Sequence, residues 1–333
     1  MNYIDLIQKS KIHKIFKPFY SGIGHVLMFH RVSNDNEYNI TKGLQVSTGY
    51  MESVLEFFIS SKIDIVSLDE CYNRIKAKGK MKRFVSFTFD DGYADNLTHA
   101  LPVFEKYNAP FSVFLATGYP DHTVVLWWYL LENLVMENEK IEFKDSSGIY
   151  VFNTLTLAEK TDALWKIRRY ILESNQEDLL SRLKTVFHDK NIDFFELTKK
   201  MALSWDQVIE LSNHPLVTIG AHTVNHLALS KLSENKVIEE IIDSIKIIEE
   251  KIGKPVLYFA YPIGTAAEAS EREFNIAKNC NAKMAFTAVK GNIFKYHSEQ
   301  LHSLPRIGIN ERLKIPNIDL YINGLTPFRD SFL

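Results

Sequence analysis

Short apolar runs recur along this 333-residue chain, and several lead into stretches whose apolar residues return at helical spacing. The runs fall at His25–His30, Ile63–Val66, Phe84–Phe89, Pro110–Ala116, Val217–Ala221, Val256–Ala260, Met284–Ala288 and Leu304–Ile307. Each predicts a strand. Their apolar character is nearly continuous rather than alternating, as in parallel strands covered on both faces. The clearest helix is Ser233–Ile252, where Val237, Ile241, Ile245 and Ile248 recur about a turn apart and Gly253 and Pro255 end the pattern. Strand, helix and strand in repeated order imply right-handed crossovers. An α/β barrel and an open doubly wound sheet are the two economical solutions.

The rhythm stops between residues 119 and 203. This stretch has helical patterns at Leu157–Glu173 and Glu177–Phe187, and a polar segment, Lys144–Gly148, that reads as a turn between two short strands. It is expected to be a mainly helical insertion in a single domain spanning 1–333, because the strand rhythm resumes after it. Ser204, Trp205, Asp206 and Gln207 form a capping box for the next helix.

Hydrophobic residues make up 46% of the chain and charged residues 24%, the balance of a soluble globular protein with a large core. A formal net charge of −2 provides no overall field for phosphate backbones, so nucleic acid is not an expected partner. Cys71 and Cys280 lie far apart, which suggests buried thiols rather than a disulfide framework or zinc ribbon. No apolar run has the length of a spanning helix or of a secretory signal, and a cytoplasmic location is expected. Residues 3–20 place Ile4, Ile7, Ile12, Ile15, Phe16 and Phe19 among Lys9, Lys11, Lys14 and Lys17. That pattern fits a basic amphipathic helix, either peripheral on the inner face of a membrane or packed on the domain.

Chemistry-bearing residues gather at strand ends, where such folds build their sites. Asp90 and Asp91 follow the Phe84–Phe89 run; two ionised carboxylates so close repel unless a cation neutralises them. A turn at Asp91-Gly92 with Asp90 as a helix cap is the plainer alternative. The Val217–Ala221 run leads into His222 and His226, which are expected on one side of a helical turn where they can share a metal. With one carboxylate they supply two His and one Asp and leave coordination positions open. The turn Tyr261-Pro262-Ile263-Gly264 can present a backbone N–H to an oxyanion. His30 follows another strand run and is a candidate acid for a leaving amine. Trp127 and Trp128 can stack on sugar faces or pack the inserted helices.

Thr88-Phe-Asp-Asp-Gly92, His222-Thr-Val-Asn-His226 and Tyr261-Pro-Ile-Gly264, in this order, resemble the polysaccharide deacetylases of carbohydrate esterase family four. The resemblance covers roughly 22–118 and 200–312 and leaves the insertion out. It implies a distorted, incomplete (β/α) barrel of about seven strands that removes N- or O-acetyl groups from sugars with a divalent metal, commonly Zn²⁺, with Co²⁺, Ni²⁺ or Mn²⁺ as alternatives. Carried over by motif, Asp90 is the general base and Asp91, His222 and His226 are the metal ligands. The Ile263 N–H faces the oxyanion and Tyr261 the substrate, while Trp127 and Trp128, in the insertion outside the resemblance, remain candidates to stack on the sugar.

Two departures stand out. Many members begin the turn motif with an Arg that holds the base, whereas this chain has Ala260; Arg306 is expected to supply that guanidinium. The usual late acid motif is unclear, and Met28-Phe-His-Arg-Val32 resembles the early His motif of the subgroup acting on poly-N-acetylglucosamine. His30 is therefore the first candidate acid and His302 the second. The expected substrate is an acetylated amino-sugar glycan, with a nucleotide-linked or lipid-linked intermediate favoured. A non-sugar amide and a carbohydrate-binding pseudoenzyme are the competing readings, and the intact base and ligand set argue against the latter.

Overall fold

A computed structural model describes residues 21–34, 40–79 and 81–323, so the amphipathic pattern at 3–20 lies outside the described residues. Every expected strand forms within two residues of its apolar run. The first half of the chain gives β1 (Gly24–Phe29), β2 (Arg31–Val32), β3 (Gln45–Val46), α1 (Thr48–Ser60), β4 (Asp64–Ile65), α2 (Leu68–Lys76), β5 (Phe84–Phe89), α3 (Leu101–Lys106) and β6 (Phe111–Leu115). After β6 come α4 (Trp127–Glu137), the hairpin β7 (Lys140–Asp145) and β8 (Gly148–Asn153), then α5 (Leu157–Glu173), α6 (Leu179–Val186) and α7 (Glu196–Met201). The strand rhythm resumes with α8 (Trp205–Asn213), β9 (Val217–Ala221), α9 (Glu234–Ile252), β10 (Tyr258–Ala260), α10 (Glu271–Asn279), β11 (Met284–Lys290), β12 (Leu304–Gly308) and α11 (Ile315–Ile322).

Seven parallel strands close in the order β1-β12-β11-β10-β9-β6-β5, and β5 pairs back onto β1 from Gly24↔Phe84 to Phe29↔Phe89. The ring is the barrel solution, one strand short of eight yet closed. β4 takes only Phe84 and Val85 at the start of β5, leaving Phe87–Phe89 to β6.

Because side chains alternate along a strand, each barrel strand buries two different faces. Val26, Phe84, Phe114, Tyr258, Met284, Phe286 and Leu304 pack together as the barrel interior. Leu68, Cys71 and Ile75 of α2 join them at the strands' amino-terminal end. The alternate positions, such as Leu27, Phe87, Val113, Ile219 and Phe259, pack outward on the surrounding helices. Both cysteines are free thiols; Cys71 is buried, but Cys280 is only partly so. Among the described residues no helix is long and apolar enough to cross a membrane.

The segment between β6 and β9 has its own apolar cluster, in which Trp127, Leu131 and Val135 of α4 meet Phe143 of β7, Ile167 and Ile171 of α5 and Leu183 of α6. Glu132 of α4 is buried within it. Its carboxylate accepts the backbone N–H groups of Ile40 (2.8 Å) and Thr41 (2.7 Å) and the Thr41 hydroxyl (2.5 Å). This acid fastens the 40–44 segment to the insertion. Glu132→Ala is expected to destabilise the protein by about 1–3 kcal/mol for each buried donor left unpaired, read as a lower urea midpoint.

Candidate active site

The carboxyl ends of β1, β5, β9, β10, β11 and β12 open into one pocket, lined by His30, Asp90, Asp91, His222, His226 and Ile263 among others. Its backbone is unusual. Asp91 (φ 74°), Thr223 (φ 68°), His226 (φ 52°) and Ile263 (φ 61°) all adopt left-handed conformations. Each such position in a non-glycine residue costs about 1–3 kcal/mol and persists where surrounding contacts enforce it, a pattern concentrated at functional sites. Gly92 follows Asp91 because its φ of 94° is a conformation that side chains rarely adopt. The left-handed residues also correct one expectation. His222 and His226 do not share a helical turn but converge through an irregular loop, pinned where the His226 N–H donates to Thr223 Oγ1 at 3.0 Å.

The ligand atoms of Asp91, His222 and His226 all lie within 4.8 Å of one another. His222 Nδ1 is 2.7 Å from the Ala260 carbonyl oxygen, which can only accept, so this nitrogen donates and a neutral ring turns the Nε2 lone pair outward. That lone pair lies 3.6 Å from Asp91 Oδ1, and His226 Nε2 lies 3.1 Å from the same oxygen. A carboxylate oxygen facing imidazole lone pairs needs a cation or a proton between them. Burial alone raises the Asp91 carboxyl, but His226 and His222 outweigh it and hold the group well below the usual range. Two nitrogens and one oxygen suit a borderline divalent ion with open positions. These three residues could hold such a metal.

Asp90 is arranged differently. Its backbone N–H donates to the Phe29 carbonyl, and its carboxylate receives both guanidinium nitrogens of Arg306, Nη1 to Oδ1 at 2.6 Å and Nη2 to Oδ2 at 2.7 Å. Arg306 is fully buried inside the barrel, fixed by Nε donating to the Thr287 carbonyl and Nη1 to Thr88 Oγ1. A bidentate pair of this kind fixes the plane of the carboxylate. Burial raises the Asp90 carboxyl, while Arg306 and then His222 pull it back to a net position below its ordinary value. Asp90 is thus ionised and oriented, with Arg306 meeting it from β12 where Ala260 offers only a methyl.

The two imidazole candidates separate clearly. His30 lines the pocket, where burial lowers its pKa by more than Asp91 and Asp90 raise it. His302 does not line the pocket; its Nε2 lies 2.7 Å from the Ala282 carbonyl. Ile263 lines the pocket, and its N–H meets no acceptor among the described residues. Tyr261 goes the other way. It shares the outward face of its strand with Phe259, is buried against Phe259 and Phe274, and donates its hydroxyl to the His302 carbonyl at 2.8 Å. The expectation that its side chain meets the substrate is corrected by strand alternation. Trp127 is largely buried in the inserted cluster yet reaches the pocket wall, and the Trp128 ring lies 5.3 Å from that of His226.

The polysaccharide deacetylase family model matches residues 77–147 and 168–285, more than half of the chain. The chain belongs to the polysaccharide deacetylase family. No curated protein matches it by sequence. Among solved structures it is similar to the Streptococcus pyogenes deacetylase PplD in complex with acetate, at 18% identity and a TM-score of 0.57, covering 91% of this chain and 98% of that one. IcaB from Ammonifex degensii is similar at 17% identity and a TM-score of 0.58, with the same coverage. A de-N-acetylase from Aggregatibacter actinomycetemcomitans is similar at 16% identity and a TM-score of 0.55, covering 90% of this chain and 99% of that one. At such identities these likenesses establish the fold. The family match also enters the segment expected to lie outside the resemblance, leaving out only 148–167 within it.

One residue of this deacetylase that sequence reading did not single out is Glu240 of α9. It is buried, and Oε2 accepts the N–H groups of Val224 (3.0 Å) and Asn225 (2.8 Å) while Oε1 accepts from Asn225 Nδ2 (2.6 Å). The carboxylate thereby holds the loop between the two histidines. The signal was available, because Glu240 stands on the same stripe as Val237, Ile241, Ser244 and Ile248. Glu240→Ala is expected to weaken divalent-metal affinity about 10–100-fold, as loss of outer support to ligands does. Equilibrium dialysis against Zn²⁺ checks it, with circular dichroism as the folding control.

Proposed function

We propose that this polysaccharide deacetylase is a metal-dependent hydrolase acting on the N-acetyl or O-acetyl group of an amino sugar in a polysaccharide or glycan intermediate. The observation carrying this reading is the pairing of two differently prepared carboxylates, Asp91 facing two histidines and Asp90 clamped by a buried arginine. Asp91, His222 and His226 would hold the divalent ion, with Zn²⁺ the first expectation. When bound, such an ion supplies Lewis-acid polarisation and positive charge at the acetyl group.

The chain's own residues do the rest. Asp90, ionised and oriented by Arg306, accepts the proton of the attacking water. The Ile263 N–H donates to the oxygen that becomes negative as the carbonyl carbon turns tetrahedral. His30 delivers a proton to the departing amine; its lowered pKa makes it a ready donor once protonated. Trp127 and Trp128 bound the sugar's approach. The acceptor is proposed to be a glycan joined to a nucleotide or lipid carrier.

The test is acetate release from N-acetylglucosamine oligomers and from O-acetylated sugars by the metal-loaded protein. Acetate is expected, with a rate that falls on His30→Ala. A protein that binds metal yet frees no acetate from any such sugar would defeat the proposal.

A further inference from the structure

The pocket continues past the metal-ligand cluster to a wall built by α5, and the charges there do not match a neutral sugar. Leu164, Trp165 and Arg168 of α5 line it, and Lys290 at the end of β11 lines it as well. The only carboxylates lining the pocket among the described residues are Asp90 and Asp91, one bound to Arg306 and the other facing the histidines. Arg168 makes no hydrogen bond or ion pair among the described residues; its guanidinium stands over the Trp165 ring at 5.5 Å. The acid that acts on it is Glu268, whose carboxylate accepts the Thr265 hydroxyl. Lys290 is already placed, its ammonium over the Tyr321 ring. Burial lowers the Arg168 pKa more than Glu268 raises it, so Glu268 compensates the partly desolvated cation only in part.

A guanidinium held over an indole in a partly dry wall is a recognition group for an oxyanion, since its planar fork matches phosphate and carboxylate. Arg168 and Lys290 both line this pocket, and its cationic lining favours the more highly charged of these.

We infer that Arg168, assisted by Lys290, recognises a phosphate group carried by the acetylated sugar, making Arg168 a specificity-determining residue. The inference rests on the deacetylase reading for the identity of the sugar, but not for the existence of the anion site. A neutral glycan chain would leave this wall without its complement, whereas a sugar joined to its carrier through phosphate would fill it.

Calorimetry on the zinc-loaded full chain tests this with glucosamine and glucosamine 1-phosphate, which need no turnover. The wild type is expected to bind the phosphate ester about tenfold or more tightly than the free sugar, and Arg168→Gln to erase most of that ratio, with Arg168→Lys keeping part of it. The ratio of kcat/KM for N-acetylglucosamine 1-phosphate over N-acetylglucosamine should fall in the same order. Equal binding of both ligands by the wild type overturns the inference. A preference that survives Arg168→Gln also overturns it, because the metal would then be the phosphate's partner. Equal weakening of both ligands assigns Arg168 a structural role and overturns it too. A UDP-N-acetylglucosamine arm separates the carriers: binding tighter than the simple phosphate ester assigns a nucleotide, and weaker binding a lipid phosphate. If the phosphate preference depends on Arg168 but no acetate is ever released, the anion site stands and the deacetylase reading falls.

Discussion

Asp90→Asn is expected to lower the rate of acetate release by about 10²–10⁴-fold, the range for removal of a positioned general base. The amide keeps the shape of the carboxylate but cannot take a proton from water. It also turns a donor toward Arg306, whose two nitrogens now meet Asp90 at 2.6 and 2.7 Å. Metal content should remain near that of the wild type, because Asp91, His222 and His226 are untouched. Single-turnover acetate release together with metal analysis on the same preparation checks both halves. A variant that keeps its metal and most of its rate would remove Asp90 from the base role.

Arg306→Ala should be the most disruptive change to stability. The substitution leaves the Asp90 carboxylate in the barrel interior without its counter-charge, and breaking a buried pair in this way costs about 3–5 kcal/mol. The pH dependence has a definite sign. The Asp90 carboxyl lies below its ordinary value in the folded protein. The pair's contribution is therefore fully present above the unfolded value, about 3.9, and is lost as pH falls through the folded value. The gap in stability between wild type and Arg306→Ala should be widest at neutral pH and narrow below about pH 4. Urea denaturation across that range measures it, and a gap that widened in acid would contradict the pairing. Catalysis should suffer as well, since a carboxylate that is free to rotate or protonate is a poorer base. Arg306→Lys restores charge but not the fork, so it should recover stability better than rate.

How far the sequence carried these conclusions differs by residue. The barrel strands were legible because parallel strands buried on both faces read as unbroken apolar runs, and Arg306 drew notice because the resemblance calls for an Arg to hold the base where this chain has Ala260. Ring closure was not legible, since nothing in the periodicity of β1 says that it pairs with both β5 and β12. The histidine pair was found from its spacing, but its geometry was misjudged: four-residue spacing fits a helical turn, and the left-handed Thr223 and His226 are set by tertiary contacts. Tyr261 was misplaced because a motif names neighbours in sequence, whereas alternation sends Tyr261 outward toward Phe274. Glu240 was missed because an acid on a charge-rich helix looks solvated unless its place on the apolar stripe is noticed, and Glu132 because the N–H groups it accepts, those of Ile40 and Thr41, lie about ninety residues away in sequence. Arg168 was missed for a related reason. Its place in the pocket lining depends on where α5 lands against the barrel, which no local pattern records.

The central claim is that Asp91, His222 and His226 hold a metal on which acetate release depends. Stripping the protein with a chelator and adding Zn²⁺ back while following acetate release from an N-acetylated sugar tests it most directly. The expected result is a rate near zero in the stripped protein that climbs to a plateau at one equivalent, with no recovery in His226→Ala. A stripped protein that releases acetate as fast as before, or a His226→Ala variant that recovers fully at one equivalent, would contradict it.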